Sequence, residues 1–161
     1  MLNVKAFDEI LSKIIKSESG IKKVILVDRT GLTIAHVSKF SYYPVDIDGI
    51  GAIASAVFCA SEEQGKNLDI GELKIVTSEF DDGKIFAASC GKGVLCVITE
   101  ADVNIGMVRL VIKKGSDKLQ QILDEFLAEK PTAAPTPTPE ASKELAEKEE
   151  LEAALKELEK F

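Results

Sequence analysis

Five short runs rich in β-branched residues fall into two groups joined by tight, glycine-bearing turns, and this grouping limits the available folds more than any other feature. Residues 21–27 and 32–37 flank Asp28, Arg29, Thr30 and Gly31, a hairpin turn that ends in the residue best suited to a left-handed backbone. Residues 72–80, 84–90 and 94–100 are joined by Asp81-Asp82-Gly83 and Gly91-Lys92-Gly93, so they predict an antiparallel meander. Helical patterns separate the groups. Phe7, Ile10, Leu11, Ile14 and Ile15 recur at spacings of three and four, which places them on one stripe of a helix. A second helix is expected over residues 48–66, capped by Asp48, with Ile50, Ile53, Ala54, Val57 and Phe58 as its apolar face. A third carries Ile105, Val108, Leu110, Val111, Leu119, Ile122, Leu123 and Phe126, with Gly115 as a possible kink. Strands grouped in hairpins and separated by single helices predict an α/β chain of the α+β kind. Its order is helix, strand, strand, helix, strand, strand, strand, helix.

The organisation changes after residue 130. Residues 131–139 read Pro-Thr-Ala-Ala-Pro-Thr-Pro-Thr-Pro and contain nothing that forms a core, so they predict an extended linker reaching on the order of 28 Å. Residues 140–161 are rich in Glu, Lys, Ala and Leu and predict a charged helix with Leu151, Ala154, Leu155 and Leu158 on one face. The expected division is therefore a domain at 1–130, a linker at 131–139 and a C-terminal helix at 140–161. That helix is expected either to be solvated or to dock its narrow leucine stripe on a partner. With 161 residues, 45% of them hydrophobic, one core is the default. The formal charge of −7 comes without a Lys/Arg cluster, which argues against nucleic acid as the main partner. No apolar run reaches the ~18 residues of a membrane span, and residues 1–11 lack the apolar core of a secretion signal. A cytoplasmic protein without direct membrane insertion is expected.

Residues for catalysis are sparse. The single histidine, His36, has no evident nucleophile or second ligand near it in sequence. Cys59, Cys90 and Cys96 fit neither a zinc site nor a disulfide framework and read as reduced thiols. Gly65-Lys66 and Gly91-Lys92 lack the spacing of a phosphate loop. The stretch Gly49-Ile50-Gly51-Ala52-Ile53-Ala54 matches a dinucleotide pattern, but Tyr42, Tyr43 and Pro44 stand where a buried strand would have to lead into it. Its small residues point instead to close packing of the helix, on its own sheet or on another helix. No catalytic residue, metal or cofactor is predicted.

Three segments carry a family resemblance: Val27-Asp28-Arg29-Thr30-Gly31-Leu32 at the hairpin, the small-residue helix around residues 52–60, and Asn104-Ile105-Gly106-Met107-Val108-Arg109 opening the last helix. Together they make the chain, over about residues 4–127, resemble the roadblock family of dynein light chains and prokaryotic GTPase regulators. The motif residues are Asp28, Arg29, Gly31, Asn104, Gly106 and Arg109. The resemblance implies a five-stranded antiparallel sheet with the middle helix on one face and the terminal helices on the other. It implies a homodimer through an edge at residues 72–80, including Glu72, Lys74, Val76 and Ser78, with the two middle helices side by side. It also implies a non-catalytic role in regulating or scaffolding a Ras-like small GTPase. The contact stripe carried over for that partner is Ser55, Phe58, Cys59, Glu62 and Lys66. If an arginine finger exists, Arg29 and Arg109 are the candidates. The alternatives are an architectural adaptor in a larger assembly and a small-molecule sensor.

Overall fold

A computed structural model describes residues 4–39, 45–129 and 139–159. The chain divides into two units, Met1–Glu129 and Lys130–Phe161. In the first, α1 (Val4–Ser17) buries Phe7, Leu11, Ile14 and Ile15, the stripe its spacing predicts. The hairpin follows as β1 (Ile21–Asp28) and β2 (Thr33–Ser38). Next come α2 (Ile47–Asn67), then β3 (Ile75–Phe80), β4 (Gly83–Cys90) and β5 (Gly93–Thr99), and finally α3 (Ile105–Glu129). Residues 40–44, between β2 and α2, lie outside the described set, as do residues 131–138 of the expected linker.

The five strands form one antiparallel sheet in the order β2-β1-β5-β4-β3. Alternation along each strand feeds two separate cores. Val24, Leu26, Phe86, Ala88, Leu95 and Val97 face α1 and α3. Ile25, Val27, Ala87, Val94 and Cys96 face α2, where Ala54 and Phe58 close the layer. Both faces of the central strands are therefore covered, which is why β1 and β5 read as nearly unbroken apolar runs. Edges remain at β2 and β3.

Three local expectations are revised. The cap of α2 is Asp46, whose Oδ1 accepts from the Gly49 amide at 3.0 Å, so the helix begins at Ile47 before the expected Asp48. Gly115 does not break α3. A Cβ there would stand 2.6 Å from Ile14 Cδ1, so glycine is the side chain that lets α1 lie directly against α3. The third strand starts at Ile75, leaving Glu72 and Lys74 of the expected edge ahead of it. The turn between α2 and β3 carries Asp69 at φ 53° and Gly71 at φ 97°, and among the described residues the one ladder bond before Ile75 is from the Ser89 amide to the Lys74 carbonyl.

The second unit contains α4 (Pro139–Leu158), within which Leu151, Ala154, Leu155 and Leu158 are exposed.

Candidate protein-binding surface

Two features occupy the α2 face: a fastened corner at the β1–β2 turn and an apolar groove at the β3 edge. The corner begins with Asp28. Its Oδ1 accepts from the Thr30 amide at 2.9 Å, the Thr30 hydroxyl at 2.6 Å and the Leu32 amide at 3.0 Å. Burial pushes the Asp28 carboxyl upward, but the hydrogen bonds from Thr30, Leu32 and Gly31 together outweigh it and hold the group below its ordinary value. Gly31 takes φ 94°, and a Cβ on it would lie 3.2 Å from Ala52 Cα on α2. Only glycine meets both conditions without strain.

Arg29 extends from this turn into the gap between α2 and the β4–β5 turn. Its Nε–H donates to the Gly91 carbonyl at 3.1 Å, and Nη1 donates to Glu62 Oε1 at 2.6 Å. The guanidinium carbon lies 5.7 Å from the centre of the Phe58 ring, within range of a cation–π attraction. On α2, the Ser55 hydroxyl lies 3.2 Å from the carbonyls of both Asp28 and Arg29, so it can donate to either, and the Cys59 thiol reaches the Arg29 carbonyl at 4.0 Å. One arginine thus ties three elements together.

This geometry turns most of the expected partner stripe toward the domain itself. Ser55 and Phe58 are buried, Cys59 is half-buried against the turn, and Glu62 is engaged by Arg29. Those four line the inner flank of α2, and only Lys66 is exposed, 4.0 Å from Glu63. The outward face is instead Ala52, Ile53, Ala56, Val57 and Ala60, all exposed. Ile53 is 67% exposed and Val57 42%. The small residues divide by side: a Cβ on Gly51 would strike Val27 at 2.6 Å, so that glycine seats α2 on β1, while the alanines face out.

Next to this face lies a groove of about 200 Å³ between α2 and the β3–β4 pair. Ile50, Ile53, Val57, Val76, Ile85 and Phe80 line it, together with Ser78. Phe80 is 59% exposed on a strand whose outer edge has no partner within the sheet. Val76 and Ser78 of the expected edge do face this groove. Sequence reasoning missed Ile53, Val57 and Phe80 as its exposed rim. Their signal was present as the alternation Val76, Ser78, Phe80 and the i, i+4 pair on α2.

The remaining motif residues sit elsewhere. Asn104 caps α3, its Oδ1 accepting from the Met107 amide at 3.1 Å. Gly106 and Arg109 are exposed on α3, beside the opposite core from that of α2. His36 is exposed on the β2 edge. Burial pushes the thiols of Cys90 and Cys96 up to about 12, with Arg29 pulling Cys90 slightly back, so neither is a nucleophile near neutral pH.

The Roadblock/LC7 domain model matches residues 7–99. The chain belongs to the Roadblock/LC7 family. It is 36% identical over 113 residues to the uncharacterized protein MJ0310 of Methanocaldococcus jannaschii, a match covering 70% of this chain and 96% of that one. Among solved structures, it superposes on the gliding protein MglB of Thermus thermophilus with a TM-score of 0.70 at 18% identity, over 78% of this chain and 95% of the other. Myxococcus xanthus MglB gives 0.70 at 23% identity, over 77% and 99%. The roadblock core is the part shared: a five-stranded antiparallel sheet with α2 on one face and α1 and α3 on the other.

Proposed function

We propose that this roadblock domain is a homodimeric, cytoplasmic protein-binding module that regulates or scaffolds a Ras-like small GTPase. The observation that carries the dimer is the apolar groove at the free β3 edge. Exposed Ile53, Val57 and Phe80 lie beside a row of unpaired backbone groups, an arrangement that invites pairing with another strand and that proteins usually cover. A two-fold axis perpendicular to the sheet and beside β3 would close the edge against its own copy and bring the alanine face of one α2 beside the other. Exposed Ala52, Ala56 and Ala60 suit a close helix–helix approach.

The GTPase reading rests on the family and on how the domain's arginines are held. Arg29 is engaged by Glu62, Gly91 and Phe58, so it acts as a clamp within the domain and not as a finger inserted into a partner. Arg109 sits beside the core on the sheet face opposite α2. A regulator of this form works by ordering the GTPase's own catalytic groups and carries no catalytic residue itself. The cytoplasmic reading is supported by three free thiols; among the described residues no helix is long and apolar enough to cross a membrane.

A test is to purify the protein with its native partners, then rebind the recovered GTPase loaded with GDP or with a non-hydrolysable GTP analogue. Capture that depends on the nucleotide supports regulation. Nucleotide-independent capture of a large complex supports the second reading, an architectural adaptor, which the exposed leucines of α4 favour.

A further inference from the structure

A furrow of about 660 Å³ runs between α3 and the chain entering β3, beside the core opposite α2. Its size is within the range of small-molecule sites. The helix contributes Arg109, Lys113 and Ser116, spaced i, i+4 and i+7 and therefore on one stripe. Lys74 and Ser89 line the strand side. Ser116 is 7% exposed, and its hydroxyl has no hydrogen-bond partner among the described residues. An orphaned buried hydroxyl is costly, and alanine would fill the same helical position without that cost. The serine thus stands where stability alone favours another residue.

We propose that this furrow binds a small molecule through an oxyanion, a phosphate ester or a carboxylate, held by Arg109, Lys113 and the Ser116 hydroxyl. Lys74 adds positive charge from the facing side. Glu72 and Asp117 also line the furrow, so the field is mixed, and the site selects a ligand with a localised anionic group over a polyanion such as nucleic acid. Neither Arg109, Lys113 nor Lys74 takes part in an ion pair among the described residues. The α2 groove proposed for self-association lies against the other core, and the furrow adjoins that dimer only on its strand side, where Lys74 and Ile75 approach the β3 edge.

The experiment is a titration of the full ¹⁵N-labelled chain, monitored by amide shifts, with pyrophosphate in one arm and citrate in the other at constant ionic strength. Saturable shifts confined to the amides of residues 74, 89, 109, 113 and 116 are expected in at least one arm, and the tighter arm identifies the oxyanion class. The double variant Arg109→Gln/Lys113→Gln is expected to weaken binding at least tenfold. Ser116→Ala is expected to weaken it several-fold while raising the thermal midpoint of the unliganded protein, a pairing that a purely structural serine would not produce. The proposal is overturned if neither probe saturates, if the shifts spread evenly over other lysines, or if Ser116→Ala binds as tightly as the wild type.

Discussion

Replacing Arg29 with alanine separates a structural clamp from a catalytic finger, because the two roles predict opposite patterns of damage. The side chain donates to the Gly91 carbonyl at 3.1 Å and to Glu62 at 2.6 Å, and lies over Phe58. A hydrogen bond from a charged donor contributes ~1.5 kcal/mol at the low end. The ion pair is one-third exposed on the arginine side and 23% exposed on the glutamate side, so screening reduces it to ~0.5–1 kcal/mol. Stacking on the phenyl ring contributes ~0.5–1 kcal/mol. These contributions share one side chain and overlap, so Arg29→Ala is expected to cost about 2 kcal/mol. At ~3–4 °C per kcal/mol for a domain of this size, the thermal midpoint falls by about 6–8 °C. Urea denaturation followed by circular dichroism, at one fixed protein concentration, measures the loss. In a double-mutant cycle, Glu62→Ala should show a coupling to Arg29 of about 0.5–1 kcal/mol. Arg29→Lys, which keeps the charge but lacks the planar fork, should fall between wild type and alanine. A loss under about 0.5 kcal/mol with no coupling to Glu62 would refute the clamp, and loss of GTPase stimulation at unchanged stability would point to a finger instead.

Other consequences follow from the same contacts. Asp28→Asn should destabilise the domain by ~1 kcal/mol at pH 7, since the amide accepts the turn's hydrogen bonds less strongly than the carboxylate. The Asp28 carboxyl is held below its ordinary value of 3.8, so its contribution is complete above that value and is lost as pH falls through the lower, folded one. The denaturant midpoints of variant and wild type should therefore differ fully near neutral pH and begin to converge only below about pH 4, and a gap independent of pH would contradict the assignment. Gly115→Val should cost about 1–3 kcal/mol by overpacking against Ile14, and adding Ile14→Ala should recover part of the loss; a neutral Gly115→Val would show that α1 and α3 are not in close contact. With Cys90 and Cys96 buried and their thiols pushed up to about 12, native protein at pH 8 should react with a thiol reagent rapidly at Cys59 alone, and at all three after denaturation. Fast reaction of three thiols in the native state would contradict the burial.

The strand pairs were legible because each signal is local. β-branched runs alternate at a period of two, and a glycine closes each turn, so the hairpin and meander follow without knowledge of the rest of the chain. The boundary of β3 was not, because Glu72, Leu73 and Lys74 continue the strand-like pattern and only the absence of a partner beyond Ser89 ends the ladder. The orientation of α2 was harder still. Small or apolar residues occupy nearly every side of that helix, so its pattern did not separate Ser55, Phe58, Cys59 and Glu62 from Ile53 and Val57. What turns the first set inward is the Arg29 corner, and Arg29 meets Gly91 from 62 positions away. Contacts across that separation leave no periodic trace.

Self-association through α2 and β3 is the claim on which the functional reading depends, and multi-angle light scattering of the full chain at tens of micromolar tests it most directly. A mass near 35 kDa, twice the 17.4 kDa of one chain, is predicted for the wild type, falling to the single-chain value when Val57→Glu buries a charge in the paired groove. A wild-type chain that elutes at 17.4 kDa, or a Val57→Glu variant that keeps the doubled mass, would contradict the account.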